Sequence, residues 1–190
     1  MWRRAASALS VLLLVAGAVQ GGRGGWIYAK AELAQILLHH SWERTLAGEG
    51  RVRPWPWADA WPVARLVIPG LDDIVVLEGA SGRNLAFAPG HLDGTARPGG
   101  DGTCVIAGHR DTHFAFLEGL APGDAIGLED ADGALHRFRV TAAAVVDEHE
   151  TGAIAGGESP TLILITCWPF DLLVTGGPLR YVVWAEDVTR

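Results

Sequence analysis

The stretch TLILITCWPFD at residues 161–171 carries the signals that decide how this chain folds. Its leucine and β-branched residues from Thr161 to Thr166 predict a buried strand. Pro169 cannot donate a backbone hydrogen bond, so the chain must leave the sheet close to that residue. Cys167 therefore lies at the carboxyl edge of the predicted strand, where a turn would present a nucleophile.

The chain from Ala64 onward repeats this pattern of short apolar runs between glycine- and proline-containing turns. Runs that are β-branched or alternate between apolar and polar residues predict further strands. They are Ala64–Ile68, Ile74–Leu77, Thr103–Ala107, Ala125–Leu128, Leu135–Val146 and Leu179–Ala185. Roughly seven or eight strands in ~120 residues indicate an all-β domain, either a closed barrel or a sandwich. We assign this domain to residues 63–190.

Residues 1–25 predict an export signal. A basic start, Met1–Arg4, precedes the run Ala5–Val19, which carries no formal charge. About 15 helical residues cover only ~22 Å of a ~30 Å hydrocarbon core. A cleaved signal peptide with a small-x-small site at Ala16–Ala18 and an uncleaved signal anchor both fit the pattern. Either one exports the rest of the chain.

Residues 26–62 connect the export signal to the β domain. Apolar residues at helical spacing predict a helix over Trp26–Trp42, either a stalk or a helix packed on the β domain. The segment that follows contains three prolines and the tryptophans Trp55, Trp57 and Trp61, and is predicted to be extended. Its rings either pack on the outside of the β domain or form the wall of a substrate groove.

The overall charge excludes one class of partner. The formal charge is −7 and no block of lysine and arginine occurs along the chain. Proteins that bind nucleic acid usually carry a basic patch, so we expect no nucleic-acid partner.

The chain has two cysteines, Cys104 and Cys167. In an exported protein the default expectation is a disulfide. Cys104 begins a strand about five residues, or ~16 Å, before His109, which is too far for a disulfide if His109 lies near Cys167. By itself, Cys167 fits either a nucleophile or a small buried apolar residue.

His109 directly follows the predicted strand Thr103–Ala107, and His113 lies four residues later. On a helix this spacing suits a metal-binding pair, but no third ligand is evident. The other interpretation is an acid/base imidazole beside a thiol at a neighbouring strand end. Arg180 opens the last strand, where its guanidinium either stabilises a developing oxyanion or forms a surface ion pair.

Four stretches together resemble the sortase family and, within it, the Gram-negative class sometimes called class GN. They are TCVIAGHRDTHF (103–114), TLILITCWPFD (161–171), GPLRYVV (177–183) and FAPGHLDGTARPG (87–99). The resemblance implies an eight-stranded β-barrel whose catalytic residues meet at strand ends. It assigns the nucleophile to Cys167, the acid/base to His109 and the electrostatic stabiliser to Arg180. Thr166 and His91 are candidates for substrate binding, and no cofactor or metal is implied.

The resemblance also implies a reaction and its partners. A thiolate attacks an LPxTG-like signal on an exported protein, forms a thioacyl-enzyme and passes the acyl group to an amine. The expected location is the inner membrane, crossed once, with the barrel in the periplasm. Two alternatives stay open: a cysteine peptidase that hydrolyses the same signal, and a non-catalytic exported barrel with a Cys104–Cys167 disulfide. Cys104 departs from the family pattern, which leaves its redox state open.

Overall fold

The computed structural model describes residues 2–150, 152, 160–171 and 177–188. The chain divides into two compact units, one up to Leu37 and one from Leu38 onward. The elements, in chain order, are helix α1 (Trp2–Arg44), a π-helical turn (Thr45–Glu49), β1 (Pro62–Val67), β2 (Ile74–Glu78), helix α2 (Gly82–Leu85), β3 (Gly90–His91), β4 (Thr103–Ala107), a 3-10 helix (Ala115–Gly119), β5 (Ala125–Asp130), β6 (Leu135–Asp147), β7 (Thr161–Cys167) and β8 (Leu179–Asp187).

The eight strands close into a barrel in the order β1-β2-β3-β4-β7-β8-β6-β5. Strands β2 and β3 pair in parallel, as do β4 and β7, and all other neighbours are antiparallel. The predicted closed all-β barrel is therefore confirmed. Strand β7 lies between β4 and β8, which brings three distant segments of the chain side by side.

Alternating residues of the strands fill the barrel. The main core consists of Ala64, Leu66, Ile68, Val76, Cys104, Ile106, Phe114, Leu117, Ile126, Leu128, Phe138, Val140, Leu162, Leu164, Val183 and Ala185. A second cluster, built on Val105, Ile163 and Val182, uses the opposite face of β4, β7 and β8. Because β7 is buried on both faces, its sequence is a continuous apolar run rather than an alternating one.

The helix is longer than predicted. The sequence predicted Trp26–Trp42 after a glycine-rich break, whereas α1 is continuous over Trp2–Arg44. Each glycine in a helix interior costs about 1 kcal/mol relative to alanine, but no proline interrupts the segment. Glycine was therefore a weaker stop signal than the prediction assumed.

The last two turns of α1 belong to the barrel unit. Leu38 and Trp42 are fully buried and pack with Val75 and Leu77 of β2. The Trp42 indole Nε1 donates a 3.2 Å hydrogen bond to Glu129. This end of the helix is therefore packed on the barrel, which was one of the two arrangements that the sequence left open for Trp26–Trp42.

Across the described part of the chain, no helix carries an apolar stretch long enough to cross a bilayer.

The tryptophan-proline segment has two packed rings and one free ring. Trp55 meets the Phe87 ring edge-on at a centroid distance of 5.0 Å, and the Arg51 guanidinium lies 4.7 Å above the Trp61 ring. Trp57 is 82% exposed. Trp55 and Trp61 therefore follow the prediction of packing, whereas Trp57 departs from it.

Candidate active site

Cys167 is the last residue of β7, and its register partner across the antiparallel pair is Arg180 of β8. Directly opposed residues of an antiparallel pair present their side chains on the same face, with Cβ atoms ~4.5–5.5 Å apart. This is the outer face of the barrel, since it continues the row of Ile163 and Val182. Both Cys167 and Arg180 are partly exposed, so the two side chains start from neighbouring positions within reach of solvent.

His109 reaches the same end of the barrel through the parallel pairing of β4 with β7. Ala107 pairs with Ile165. The next residue, Gly108, uses both its N–H and its carbonyl to form hydrogen bonds with β7. Its N–H donates to the Ile165 carbonyl at 3.0 Å, and its carbonyl accepts the Thr166 hydroxyl at 2.8 Å. His109 therefore follows at the level of Cys167, and its ring is exposed. The three residues predicted as catalytic meet at one end of the barrel.

A small residue is required just before His109. A Cβ atom on Gly108 would lie 2.7 Å from Cγ of the buried Phe114 ring. The N–H of Phe114 also donates to the His109 carbonyl at 3.0 Å, which closes the turn beneath the histidine. Both contacts fix the backbone from which the His109 ring projects.

The Arg180 guanidinium is held by three acceptors. Nη1 donates to the carbonyls of Gly177 at 2.6 Å and Leu179 at 2.9 Å. Nη2 donates to the Glu148 carboxylate in a short charged hydrogen bond. The contact with Glu148 was not predicted from the sequence, because Glu148 lies 32 residues from Arg180 and only the pairing of β6 with β8 brings them together.

The two candidates for substrate binding are buried. Thr166 uses its hydroxyl to hold Gly108. His91 shares hydrogen bonds from its Nε2 with the Ala96 carbonyl at 2.9 Å and the Thr95 hydroxyl at 3.1 Å. Thr166 therefore positions the His109 turn and His91 supports the loop after β3, and substrate binding by these two residues stays a prediction.

Cys104 is separated from the site. It pairs with Leu162, at the other end of β7 from Cys167, and both cysteines are free thiols. The alternative with a Cys104–Cys167 disulfide is therefore wrong. Burial raises the pKa of the Cys104 thiol to about 12, which keeps it protonated and unreactive.

His113 lies close to His109 but has a different environment. Burial, together with the nearby charge of His109, lowers the His113 pKa below its ordinary 6.5. Within the described residues no group of three or more metal-ligating side chains occurs. The pair thus has no third ligand there to build a metal site.

An aromatic cluster follows Cys167 in the chain. The Trp168 and Tyr181 rings stack at 5.6 Å, and Phe170 meets the Tyr181 ring edge-on at 5.3 Å. Tyr181 is the neighbour of Arg180 and pairs with Thr166. Because Tyr181 alternates with Arg180 along β8 and packs against the main core with Phe170, these rings lie on the opposite face of the sheet from the Cys167 side chain.

A cavity of about 420 Å³ lies at the opposite end of the barrel. Its lining includes Arg51, Trp61, Arg97 and Asp132 and none of the three predicted catalytic residues. We place the chemistry at the Cys167 end nevertheless, because the pairing of β7 with β4 and β8 brings a thiol, an imidazole and a guanidinium to that end.

Comparison with known proteins identifies the family of this chain. Residues 66–188 match the family model described as the sortase domain, and this chain belongs to the sortase family of enzymes. Sortase D of Bacillus subtilis (strain 168) is 32% identical over 126 residues, which cover 65% of this chain. The chain spans 63% of the length of that curated relative.

Solved structures show the same fold. A Clostridium perfringens Sortase D5 transpeptidase superposes with a TM-score of 0.66 at 21% identity, over 83% of this chain and 99% of that chain. Sortase C-1 from Actinomyces oris has a TM-score of 0.59 at 28% identity, over 68% of this chain and 76% of that chain.

Proposed function

We propose that this sortase is a cysteine transpeptidase that cleaves an LPxTG-like sorting signal on an exported protein and transfers the acyl part to an amine. The observation that carries the proposal is the register of β7, which sets Cys167 opposite Arg180 and ties Gly108, the residue before His109, to the same strand end. A nucleophile, an acid/base and a permanent cation are the parts that acyl transfer requires.

The reaction proceeds in two acyl transfers. The Cys167 thiolate attacks the threonine carbonyl carbon, the C–S bond forms, and the C–N bond to the next residue breaks. His109, as imidazolium, protonates the departing amine. A second amine then attacks the thioacyl carbon and returns the electron pair to sulfur, while His109 takes the proton from the new amide nitrogen. Arg180 donates to the oxyanion of each tetrahedral intermediate.

Exclusion of water decides between transfer and hydrolysis. If water attacks the thioacyl carbon, the enzyme is a cysteine peptidase with the same first step. We propose transfer as the main outcome, because the sequence motifs resemble sortases and the similar Clostridium perfringens Sortase D5 is described as a transpeptidase.

The wider setting is proposed from the sequence motifs. They predict the Gram-negative class and a chain that crosses the inner membrane once, with the barrel in the periplasm. The relatives reported above are sortases of Gram-positive bacteria and give that class no support. N-terminal sequencing of protein extracted from membranes tests the anchor: a mature chain that begins near Val19 would mean that the segment is a cleaved signal peptide.

The decisive experiment is trapping of the intermediate. Full-length protein is mixed with a fluorogenic LPxTG-like peptide, with and without a primary amine, and the products are read by mass spectrometry. We expect a thioacyl adduct on Cys167, an amine-dependent ligation product, and no adduct on Cys167→Ala. Cys104→Ala should keep substantial activity, since its thiol is buried in the core. Cleavage by Cys167→Ala at the wild-type rate would refute the proposal.

A further inference from the structure

The side chain that holds Arg180 is Glu148, the first residue after β6. Its carboxylate accepts a charged hydrogen bond from Nη2 of Arg180, and the two side chains are 40% and 27% exposed. A pair this solvated contributes little to folding stability. We therefore ask how the ion pair affects the position of the guanidinium rather than the stability of the fold.

Glu148 is itself fixed before it contacts Arg180. The two residues before it pair with β8, Val146 with Arg180 and Asp147 with Leu179. Its N–H donates to the Pro178 carbonyl at 2.7 Å. The Asp147 carboxylate accepts the N–H of His149 at 3.0 Å, which closes the turn. These backbone contacts fix the position of the Glu148 carboxylate. The carboxylate can then fix the position of the Arg180 guanidinium.

The bonds to Arg180 leave part of the guanidinium available. An arginine side chain has five N–H donors. Two donors on Nη1 bond the carbonyls of Gly177 and Leu179, and one on Nη2 bonds Glu148. Toward the described residues, Nε–H and the second Nη2 donor make no hydrogen bond. Counted over the described residues, two donors of a permanently charged group are left for oxygens of a substrate bound at Cys167.

We propose that Glu148 is a positioning residue for Arg180: it clamps the guanidinium at the strand end that carries Cys167, so that the other donors of Arg180 meet the developing oxyanion. This inference rests on the proposed function of Arg180. Without the clamp, a long arginine side chain regains several rotamers and spends less time where the oxyanion forms. An interaction made only in the transition state is lost in kcat rather than in KM.

Glu148→Gln removes the charge and keeps the shape. We expect kcat for the peptide to fall about tenfold, with KM within about twofold of the wild type and an almost unchanged melting temperature. Glu49→Gln is the matched control, because it breaks the Arg44–Glu49 pair, which is also solvated at 45% and 47% exposure and lies far from Cys167. It should leave both kcat and KM unchanged. Combining Glu148→Gln with Arg180→Ala should add no further loss to that of Arg180→Ala alone.

A spectroscopic readout keeps this test separate from the proposed activity. The ¹⁵N guanidinium resonances of Arg180, assigned by their loss in Arg180→Lys, should show restricted rotation in the wild type and free rotation in Glu148→Gln. If the wild type cleaves no LPxTG-like peptide, the proposed function fails, while these resonances still decide whether Glu148 clamps Arg180. Free rotation in the wild type would overturn the inference. So would an unchanged or higher kcat in Glu148→Gln, since a higher value would mean that Glu148 sequesters the guanidinium.

Discussion

Gly108→Ala is the substitution for which the structure predicts the largest effect from a single carbon atom. The added Cβ would lie 2.7, 2.8 and 3.1 Å from three carbons of the Phe114 ring, where real Cβ contacts are rarely under 3.0 Å. Neither partner can yield easily. The ring is fully buried in the main core, and Gly108 is bonded to Ile165 and Thr166.

Overpacking of a filled core costs about 1–3 kcal/mol. For a domain of this size, a loss of 2 kcal/mol corresponds to a melting temperature lower by roughly 4–8 °C. If the backbone moves instead of the ring, His109 shifts away from Cys167, and a displacement of about 1 Å at a catalytic group can cost 10²-fold in rate. We therefore expect a loss of activity that far exceeds the fraction of unfolded protein.

Urea unfolding followed by tryptophan fluorescence measures the stability, and peptide cleavage measures the activity. Gly119→Ala is the matched control, because Gly119 lies in the same connection and a Cβ there meets nothing within 4 Å. Phe114→Leu, a smaller side chain, should restore part of the stability when it is combined with Gly108→Ala. Equal stability and equal activity for Gly108→Ala and Gly119→Ala would refute the argument.

Three further predictions concern Cys104, Trp42 and metal ions. The Cys104 thiol loses its proton near pH 9 in the unfolded chain and at about 12 in the folded protein, so the free energy of unfolding should fall as the pH rises between these values. In the Cys167→Ala background, Cys104→Ala should reduce this dependence on pH in urea titrations. Trp42→Ala should lower the free energy of unfolding by about 3–5 kcal/mol and Trp42→Phe by less, since the indole is buried and bonded to Glu129; equal losses in calorimetry would contradict the packing argument. Cleavage should be insensitive to EDTA, and loss of activity that zinc restores would favour a metal on His109 and His113.

The sequence predicted the long strands because each carries its own pattern. Strand β4 was predicted with its observed limits, and β7 was extended by one residue. Strand β3 was missed, because two residues, Gly90 and His91, are too few to show any period. Its existence depends on the parallel neighbour Leu77 and the antiparallel neighbour Ala107, which are far away in the chain.

The site shows the same division. The placement of Cys167, His109 and Arg180 at strand ends could be predicted, since each follows or opens an apolar run. The Glu148 carboxylate could not, because a glutamate after a strand has no distinguishing local pattern and its partner is set by the register of β6 on β8. The burial of Thr166 and His91 could not be predicted either, because only the closed barrel covers their side chains.

The parallel pairing of β4 with β7 has a consequence for the order of folding. Gly108 and Thr166 are 58 positions apart, and the β5–β6 hairpin lies between them in the chain. Local hairpins form within ~1–10 μs, whereas contacts between distant segments must first close a long loop. We therefore expect the strand end that carries Cys167 to be completed late, after β5 and β6 have paired. Recovery of peptide cleavage during refolding should lag behind recovery of β structure, and this lag would measure the time at which β7 enters the barrel.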